Sequence, residues 1–160
     1  MPDIRFKMFP AHSAADIQTA AKLFQAYAAS LPISLGYQDF EAELATLPGR
    51  YAPPRGALFL ARGPAGDALG CVALRPFEGD DVCEMKRLYV APHGRRLGLG
   101  KALAELIIAE AARLGYREMR LDTLPSMQAA LSLYAALGFR PLPAYYATPI
   151  ADTLFFSKTL

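Results

Sequence analysis

The chain has 160 residues, 53% of them hydrophobic and 20% charged, which is typical of one soluble globular domain. We therefore predict a single domain across residues 1–160. The formal net charge of +2 is too small to indicate nucleic acid or a membrane as a partner. No apolar run reaches the roughly 18 residues that a membrane span needs, and the N-terminus lacks a signal-peptide pattern, so a cytoplasmic location is expected.

The two cysteines, Cys71 and Cys83, lie in apolar stretches with strand-like patterning. No other cysteine or histidine grouping surrounds either of them, so neither a disulfide framework nor a zinc site is indicated. We predict two small buried thiols and no metal site.

Turn formers divide the first half of the chain into short elements. Alternating or short apolar runs predict strands, and apolar residues at helical spacing after a capping serine predict helices. Strands are predicted at Ile4–Phe9, where Pro10 closes the strand, and at Ala57–Arg62, Leu69–Arg75 and Val82–Val90, with helices after the N-cap Ser13 and between Phe40 and Leu47.

The second half alternates between helices and strands. Apolar residues recur at helical spacing from Leu99 to Leu114, and Gly115 ends that helix. Next come a strand at Tyr116–Asp122, a helix N-capped by Ser126 and ended by Gly138, a strand that begins at Phe139, and a last strand at Thr153–Lys158. An antiparallel meander followed by strand–helix–strand–helix–strand predicts a mixed α/β sheet flanked by helices.

The strongest local feature is the turn Pro92–Lys101, between the end of a strand and a long amphipathic helix. A helix start offers free backbone N–H groups and the positive end of the helix dipole. Gly98 and Gly100 allow a phosphate to approach the backbone closely. Positive charge is added by Arg95, Arg96 and Lys101. The turn predicts a site for a di- or polyphosphate, and the alternative is an ordinary helix start with solvated arginines.

Two familiar phosphate motifs do not fit this turn. The third glycine of the dinucleotide fingerprint is missing after Gly98-Leu99-Gly100, and Lys101 is not followed by the Ser or Thr of a Walker A loop. The turn does match the pattern Arg/Gln-x-x-Gly-x-Gly/Ala, filled by Arg95, Gly98 and Gly100.

With this pattern the chain resembles the GNAT superfamily of N-acetyltransferases, in which the same turn binds the pyrophosphate of coenzyme A. Glu84–Val90 is similar to the family's fourth strand, and Ala130–Phe139 to its block with a tyrosine before Leu-Gly-Phe. The resemblance covers about a third of the chain, Val82–Phe139. It implies one GNAT-like domain with antiparallel N-terminal strands, a central strand–turn–helix, and fourth and fifth strands that splay apart.

The resemblance also implies acetyl-CoA as cosubstrate, direct attack of an amine on the thioester, and no metal. Strand residues before the turn would offer main-chain bonds to the pantetheine arm. The cofactor-binding residues that it implies are Leu88, Tyr89, Val90, Arg95, Arg96, Leu97, Gly98, Leu99, Gly100, Lys101, Ser126 and Tyr134.

Two side chains are candidates for proton transfer. Tyr134 corresponds to the family's tyrosine that protonates the departing thiolate, and a phenol with a pKa of ~10 keeps its proton where a thiolate, of pKa ~8.5, needs one. The alternative is a core aromatic on a helix stripe. Glu84 matches a glutamate that acts as general base in some members, directly or through water. The alternative is a solvated strand residue or an ion-pair partner of a neighbouring Lys or Arg.

One position departs from the family and another region is weakly defined. The family often places Asn where this chain has Met127, so that pantetheine contact is in doubt, with Ser126 or Gln128 as a substitute. The acceptor pocket is expected from the first helices, their link and the loop between the last strands. Aromatic residues there, which can also be ordinary loop packing, are Tyr37, Phe40, Tyr145 and Tyr146.

Three classes of function are compared. The first is an N-acetyltransferase acting on a primary amine of a small molecule or a protein. The second is a non-catalytic acyl-CoA-binding or sensing domain, against which Tyr134 and Glu84 argue. The third is a nucleic-acid module built on the basic stretch Lys86–Lys101, which apart from Tyr89 lacks the interleaved aromatics that such modules use. The resemblance also implies a homodimer as one form of self-association.

Overall fold

A computed structural model describes residues 5–36 and 39–160. Within them, seven strands form one mixed sheet in the order β1-β2-β3-β4-β5-β7-β6, flanked by four helices. The strands are β1 Lys7–Pro10, β2 Ala57–Arg62, β3 Ala68–Glu78, β4 Val82–Val90, β5 Glu118–Thr123, β6 Arg140–Pro141 and β7 Leu154–Thr159. The helices are α1 Ala14–Ser30, α2 Phe40–Thr46, α3 Leu99–Arg113 and α4 Gln128–Ala136, with short 3-10 turns at Gly49–Tyr51 and Pro92–Gly94.

The sheet is covered on both faces because alternate residues of its central strands enter two separate cores. On β2, Leu58 and Leu60 pack into the core that α1 and α2 cover, and Phe59 packs into the core that α3 covers. Successive side chains of a strand point to opposite faces, so each core receives every second residue. The predicted mixed α/β sheet flanked by helices is confirmed.

The fourth and fifth strands are the one parallel pair among the described strands, and they part after a short stretch. Their register pairs Val82 with Glu118, Cys83 with Met119 and Glu84 with Arg120, and it ends there. The remainder of β4 continues along β3 alone, and the remainder of β5 continues along β7. The predicted splay is therefore present, and it opens a space between the two strands.

A bulge in β4 lies beside this opening. Tyr89 pairs with Cys71 and Lys86 pairs with Ala73, so two β4 residues stand opposite the single residue between Cys71 and Ala73. One of those two is Arg87, whose φ of 60° lies in the left-handed region that side chains rarely adopt. A bulge with a positive φ bends the strand, which helps β4 to leave β5.

Most predicted elements are present, with differences at their ends. The Ser13 cap is confirmed, because its hydroxyl accepts a hydrogen bond of 3.1 Å from the Asp16 N–H. Ser126 is not the cap of α4, because the Met127 N–H bonds the Leu124 carbonyl in a turn and the helix begins one residue later. Pro10 lies inside β1 rather than beyond it, and Ile4 lies outside the described residues.

The fifth strand begins later than predicted, at Glu118 rather than Tyr116. The Tyr116 N–H bonds the Ala111 carbonyl at the end of α3, so this residue completes the helix terminus instead of joining the sheet. The two cysteines are free, and both are fully buried, as predicted.

Candidate active site

A groove of about 730 Å³ runs between the end of β4, the start of α3 and the start of α4. It brings together eight of the residues that the resemblance implies for coenzyme A. They are Leu88, Tyr89, Val90, Arg95, Gly100, Lys101, Ser126 and Tyr134. Arg96, Leu97, Gly98 and Leu99 do not line it.

The turn before α3 has the open backbone that the glycines predict. Gly98 is the N-cap of α3 with a φ of 74°, no side chain caps the helix, and a Cβ at Gly98 would meet no atom within 4 Å. Arg96 also has a positive φ, 67°, which the sequence did not indicate. Leu99 is buried in the core below the groove, so only its backbone can contribute to binding. The turn therefore offers unobstructed helix N–H groups beside exposed cations.

A second cavity, of about 40 Å³, lies between β4 and β5 beyond their last paired residues. The end of α1 and the link after it close one side through Tyr27, Leu31 and Ile33. The charged residues that line it are Lys86, Arg87 and Asp122. We call it the splay cavity.

Tyr134 on α4 lies where the groove and the splay cavity meet. It lines both spaces, together with Tyr27, Leu88 and Met127. Its ring packs edge-on against Phe139 at a centroid distance of 5.7 Å. Burial raises the pKa of Tyr134, with the nearby Tyr27 and the Asp122 carboxylate adding to the effect, so the hydroxyl remains a proton donor.

Glu84 lies at the last paired position of β4 and is 1% exposed. Its Oε1 is 2.7 Å from Arg75 Nη2, and its Oε2 accepts a hydrogen bond of 2.6 Å from the Tyr145 hydroxyl. The carboxylate is therefore an ion-pair partner of an arginine and not a solvated strand residue. Tyr145 packs edge-on against Tyr146, whose hydroxyl donates a hydrogen bond to Asp122 in the wall of the splay cavity. Burial and the Glu84 carboxylate raise the pKa of Tyr145.

Two more buried ion pairs surround the splay cavity, and sequence reasoning missed both. Lys86 Nζ lies 3.6 Å from Asp122 Oδ1, with 5% and 10% of the two side chains exposed. Arg87 Nε lies 2.9 Å from Glu43 Oε2 on α2. Charged residues in the otherwise apolar strands Val82–Val90 and Glu118–Thr123 are the signal that could have indicated them.

The predicted acceptor aromatics lie around the splay cavity rather than in its wall. Phe40 packs against the Arg87 guanidinium at 5.3 Å from its ring centroid. The Tyr146 hydroxyl donates a hydrogen bond of 2.5 Å to Asp122, as Tyr145 does to Glu84. Tyr37 lies outside the described residues.

Within the parts of the chain that the structure describes, no three His, Cys, Asp or Glu residues are grouped so that they could hold a metal ion. In the same parts, no helix has both the length and the apolar character to cross a membrane.

A sheet whose parallel strands part beside an uncapped, basic helix start is the architecture of an acyltransferase. The sequence model of the Acetyltransferase (GNAT) family matches residues 20–139, which is more than half of the chain. The chain therefore belongs to this family. It is an N-acetyltransferase by class.

Individual proteins agree with this assignment. The chain is 41% identical to an uncharacterised N-acetyltransferase of Schizosaccharomyces pombe, over 88% of this chain and 86% of that one. It is 31% identical to the N-acetylaspartate synthetase of Danio rerio, over 81% of this chain and 49% of that protein. Its fold matches that of a phosphinothricin acetyltransferase of Sinorhizobium meliloti solved with acetyl-CoA, with a TM-score of 0.72 and 19% identity. The match covers 98% of this chain and 89% of that one.

Proposed function

We propose that this chain transfers the acetyl group of acetyl-CoA to a primary amine of a small molecule or of a protein, by direct attack. The observation that carries the proposal is the meeting of two spaces at Tyr134. The groove suits a long phosphorylated cosubstrate, and the splay cavity suits a compact acceptor. Two substrates held on either side of one proton donor are aligned for direct transfer.

The residues of the groove fit acetyl-CoA. The N–H groups at the start of α3, with the exposed Arg95 and Lys101, would hold its pyrophosphate. Main-chain groups of Leu88–Val90 would hold the pantetheine arm, and backbone N–H groups there would polarise the carbonyl. Acetyl-CoA supplies a thioester, so the transfer forms an N–C bond and breaks a C–S bond. The structural relative from Sinorhizobium meliloti is in complex with acetyl-CoA, which supports this cosubstrate.

The proton balance is assigned to two residues. Tyr134 gives its proton to the departing thiolate, and its raised pKa keeps the hydroxyl protonated across the physiological range until the thiolate forms. Glu84 receives the proton that the amine loses, through the Tyr145 hydroxyl or through water. An ammonium acceptor loses two protons in all: one goes to solvent before the attack and one goes to Glu84, and the proton on Glu84 returns to Tyr134 through solvent after each turnover.

Calorimetry with acetyl-CoA tests the cosubstrate, with desulfo-CoA and ATP as comparison ligands. Gly98→Ala should weaken acetyl-CoA binding about tenfold, because a methyl group would narrow the phosphate approach and strain the cap. Gly79→Ala is the matched control: Gly79 also has a positive φ, 57°, and a Cβ there meets no atom within 4 Å, but it precedes β4 at the strand end far from the turn.

A panel of primary amines, followed by release of free thiol, then tests transfer. Micromolar acetyl-CoA affinity with turnover on the panel supports the enzyme. Tight binding with no turnover on any amine would favour the sensing domain, and no binding would refute both. The cytoplasmic location and the homodimer stay predictions from the sequence, and light scattering of the purified protein tests the second.

A further inference from the structure

The splay cavity presents one cation and one anion side by side. Among the three charged residues that line it, Arg87 has its guanidinium 2.9 Å from Glu43, which belongs to α2 and does not line the cavity. Lys86 and Asp122 come from the two strands that part, and each faces the other across the opening at 3.6 Å. At that distance the two groups form an ion pair that is longer than the roughly 2.7–3.2 Å of an N–H···O hydrogen bond, and the other Asp122 oxygen accepts a hydrogen bond from the Tyr146 hydroxyl.

Stability alone is a weak reason to keep this pair. Burial lowers the pKa of Lys86, and the Asp122 and Glu84 carboxylates oppose this effect. A buried ion pair is commonly no more stabilising than apolar residues of the same volume. A lysine and an aspartate in the wall of this cavity are therefore better explained by what they bind.

The volume of the splay cavity limits the acceptor. About 40 Å³ accommodates roughly three water molecules at ~10–15 Å³ each, so only a small acceptor could enter, and the cavity must widen to admit it. A polyamine would place a second ammonium against Lys86 and Arg87, which like charges disfavour. A lysine side chain of a protein has no anionic group beside its amine to match Lys86.

Resting on the acetyl transfer proposed above, we propose that the acceptor is a small free amino acid, with its amino group on Asp122 and its carboxylate on Lys86. The two charges of an α-amino acid are separated by a single carbon, which matches two opposite charges 3.6 Å apart. When the ligand ammonium lies against Asp122 and the ligand carboxylate lies against Lys86, the ligand and the protein form two complementary charge contacts. Asp122 and Tyr134 line the same cavity, so an amine held by this carboxylate lies in the space that Tyr134 borders.

The test compares amino acids with acceptors that lack the carboxylate. We would measure kcat/KM for glycine, alanine, serine, aspartate and glutamate, each against its α-carboxamide, which keeps the amine and removes the charge. The wild-type protein should prefer the free amino acid of at least one pair about tenfold or more, because a carboxamide cannot form the charge contact that the carboxylate makes with Lys86. Lys86→Met should bring the ratio of that pair close to one, and Lys86→Arg should restore part of it.

The possible outcomes distinguish the amino-acid proposal from the acetyl-transfer proposal on which it rests. Calorimetry on the same preparations should give acetyl-CoA affinities within about twofold of wild type, because Lys86 does not line the groove. Carboxamides used as well as amino acids throughout the wild-type panel would overturn the amino-acid proposal and leave acetyl transfer standing. An equal loss for both acceptors in Lys86→Met would also overturn it. Failure of the wild-type protein to bind acetyl-CoA would overturn the acetyl transfer itself. The wild-type comparison decides the matter if Lys86→Met does not fold.

Discussion

The groove and the splay cavity are neighbours that are built in different ways. The groove depends on one continuous turn and its helix start, where glycine conformation and backbone N–H groups create the site. The splay cavity depends on side chains from α1, β4, β5 and α4, and on ion pairs around it, that meet only in the folded protein. Sites made by a local backbone leave a motif in the sequence, whereas sites made by long-range ion pairs do not.

The two spaces also differ in how their charges are held. Lys101 in the groove is 68% exposed, and its pair with Glu105 lies on the helix surface. Arg87 beside the splay cavity is 2% exposed and pairs with Glu43, across forty-four positions of sequence. We therefore expect substitutions in the groove to change ligand affinity, and substitutions around the cavity to change both kcat and the free energy of unfolding.

The largest expected effect is at Tyr134, which belongs to both spaces. Tyr134→Phe should lower kcat about 10²–10³-fold, because the thiolate leaves without a proton donor, while acetyl-CoA affinity changes about twofold or less. Steady-state kinetics and calorimetry give the two values. Tyr116→Phe removes another buried hydroxyl, one that donates to the Arg55 carbonyl away from both spaces, and it should leave kcat near the wild-type value. If Tyr134→Phe and the wild-type protein had equal kcat values, the assignment of Tyr134 as the proton donor would be refuted.

The next effect concerns the ion pair at the bulge. Glu43→Gln removes the carboxylate that pairs with the buried Arg87 guanidinium and weakens the hydrogen bond that the Tyr51 hydroxyl donates to residue 43, so the free energy of unfolding should fall by about 2 kcal/mol. Urea denaturation measures it. Glu105→Gln breaks the exposed pair with Lys101 and should change stability by about 0.5 kcal/mol or less. If both variants lost the same amount, the contrast between the two spaces would not hold.

A smaller effect is expected where Glu84 connects to the cavity. Tyr145→Phe removes the hydroxyl on Glu84 but keeps the Arg75 ion pair, so kcat should fall about tenfold with little loss of stability. Glu84→Gln should lower kcat at least as much and should also destabilise the protein, because Arg75 loses its partner. A double variant no slower than Glu84→Gln would place both residues in one proton path. Additive losses in kcat would indicate that Tyr145 and Glu84 act independently.

Much of the fold could be predicted from the sequence because local patterns determine it. The helix cap at Ser13, the strand before the turn and the tyrosine-bearing helix all carry their own signal within a few residues. Ser126 was wrongly assigned as a cap because a turn from Leu124 to Met127 places the first helical residue at Gln128. Sequence patterns locate the ends of elements less well than their presence.

The acceptor side could not be predicted in the same way. Lys86 and Asp122 are thirty-six positions apart, and only the parting of β4 from β5 brings their side chains together. The positive φ of Arg87 has no sequence signal, because a glycine is the residue expected in that conformation. The bulge exists because tertiary contacts hold it: Glu43 binds the guanidinium, and the Cys71 thiol donates to the Arg87 carbonyl at 3.3 Å.

The smallest expected effect concerns the reactivity of the cysteine thiols, which should be absent in the native protein and should appear first at Cys71 in one variant. Burial raises the pKa of Cys83 to about 12 and also raises that of Cys71, so neither thiol supplies much thiolate, and both should resist a thiol reagent in the native protein. Both should react in urea. In Glu43→Gln, Cys71 should react before Cys83, because the carbonyl that its thiol contacts belongs to the bulge that this variant loosens. Mass spectrometry after timed alkylation identifies the modified cysteine. Prior reaction of Cys83 would mean that the variant loosens the sheet from the α3 side, and that the ion pair does not hold the bulge.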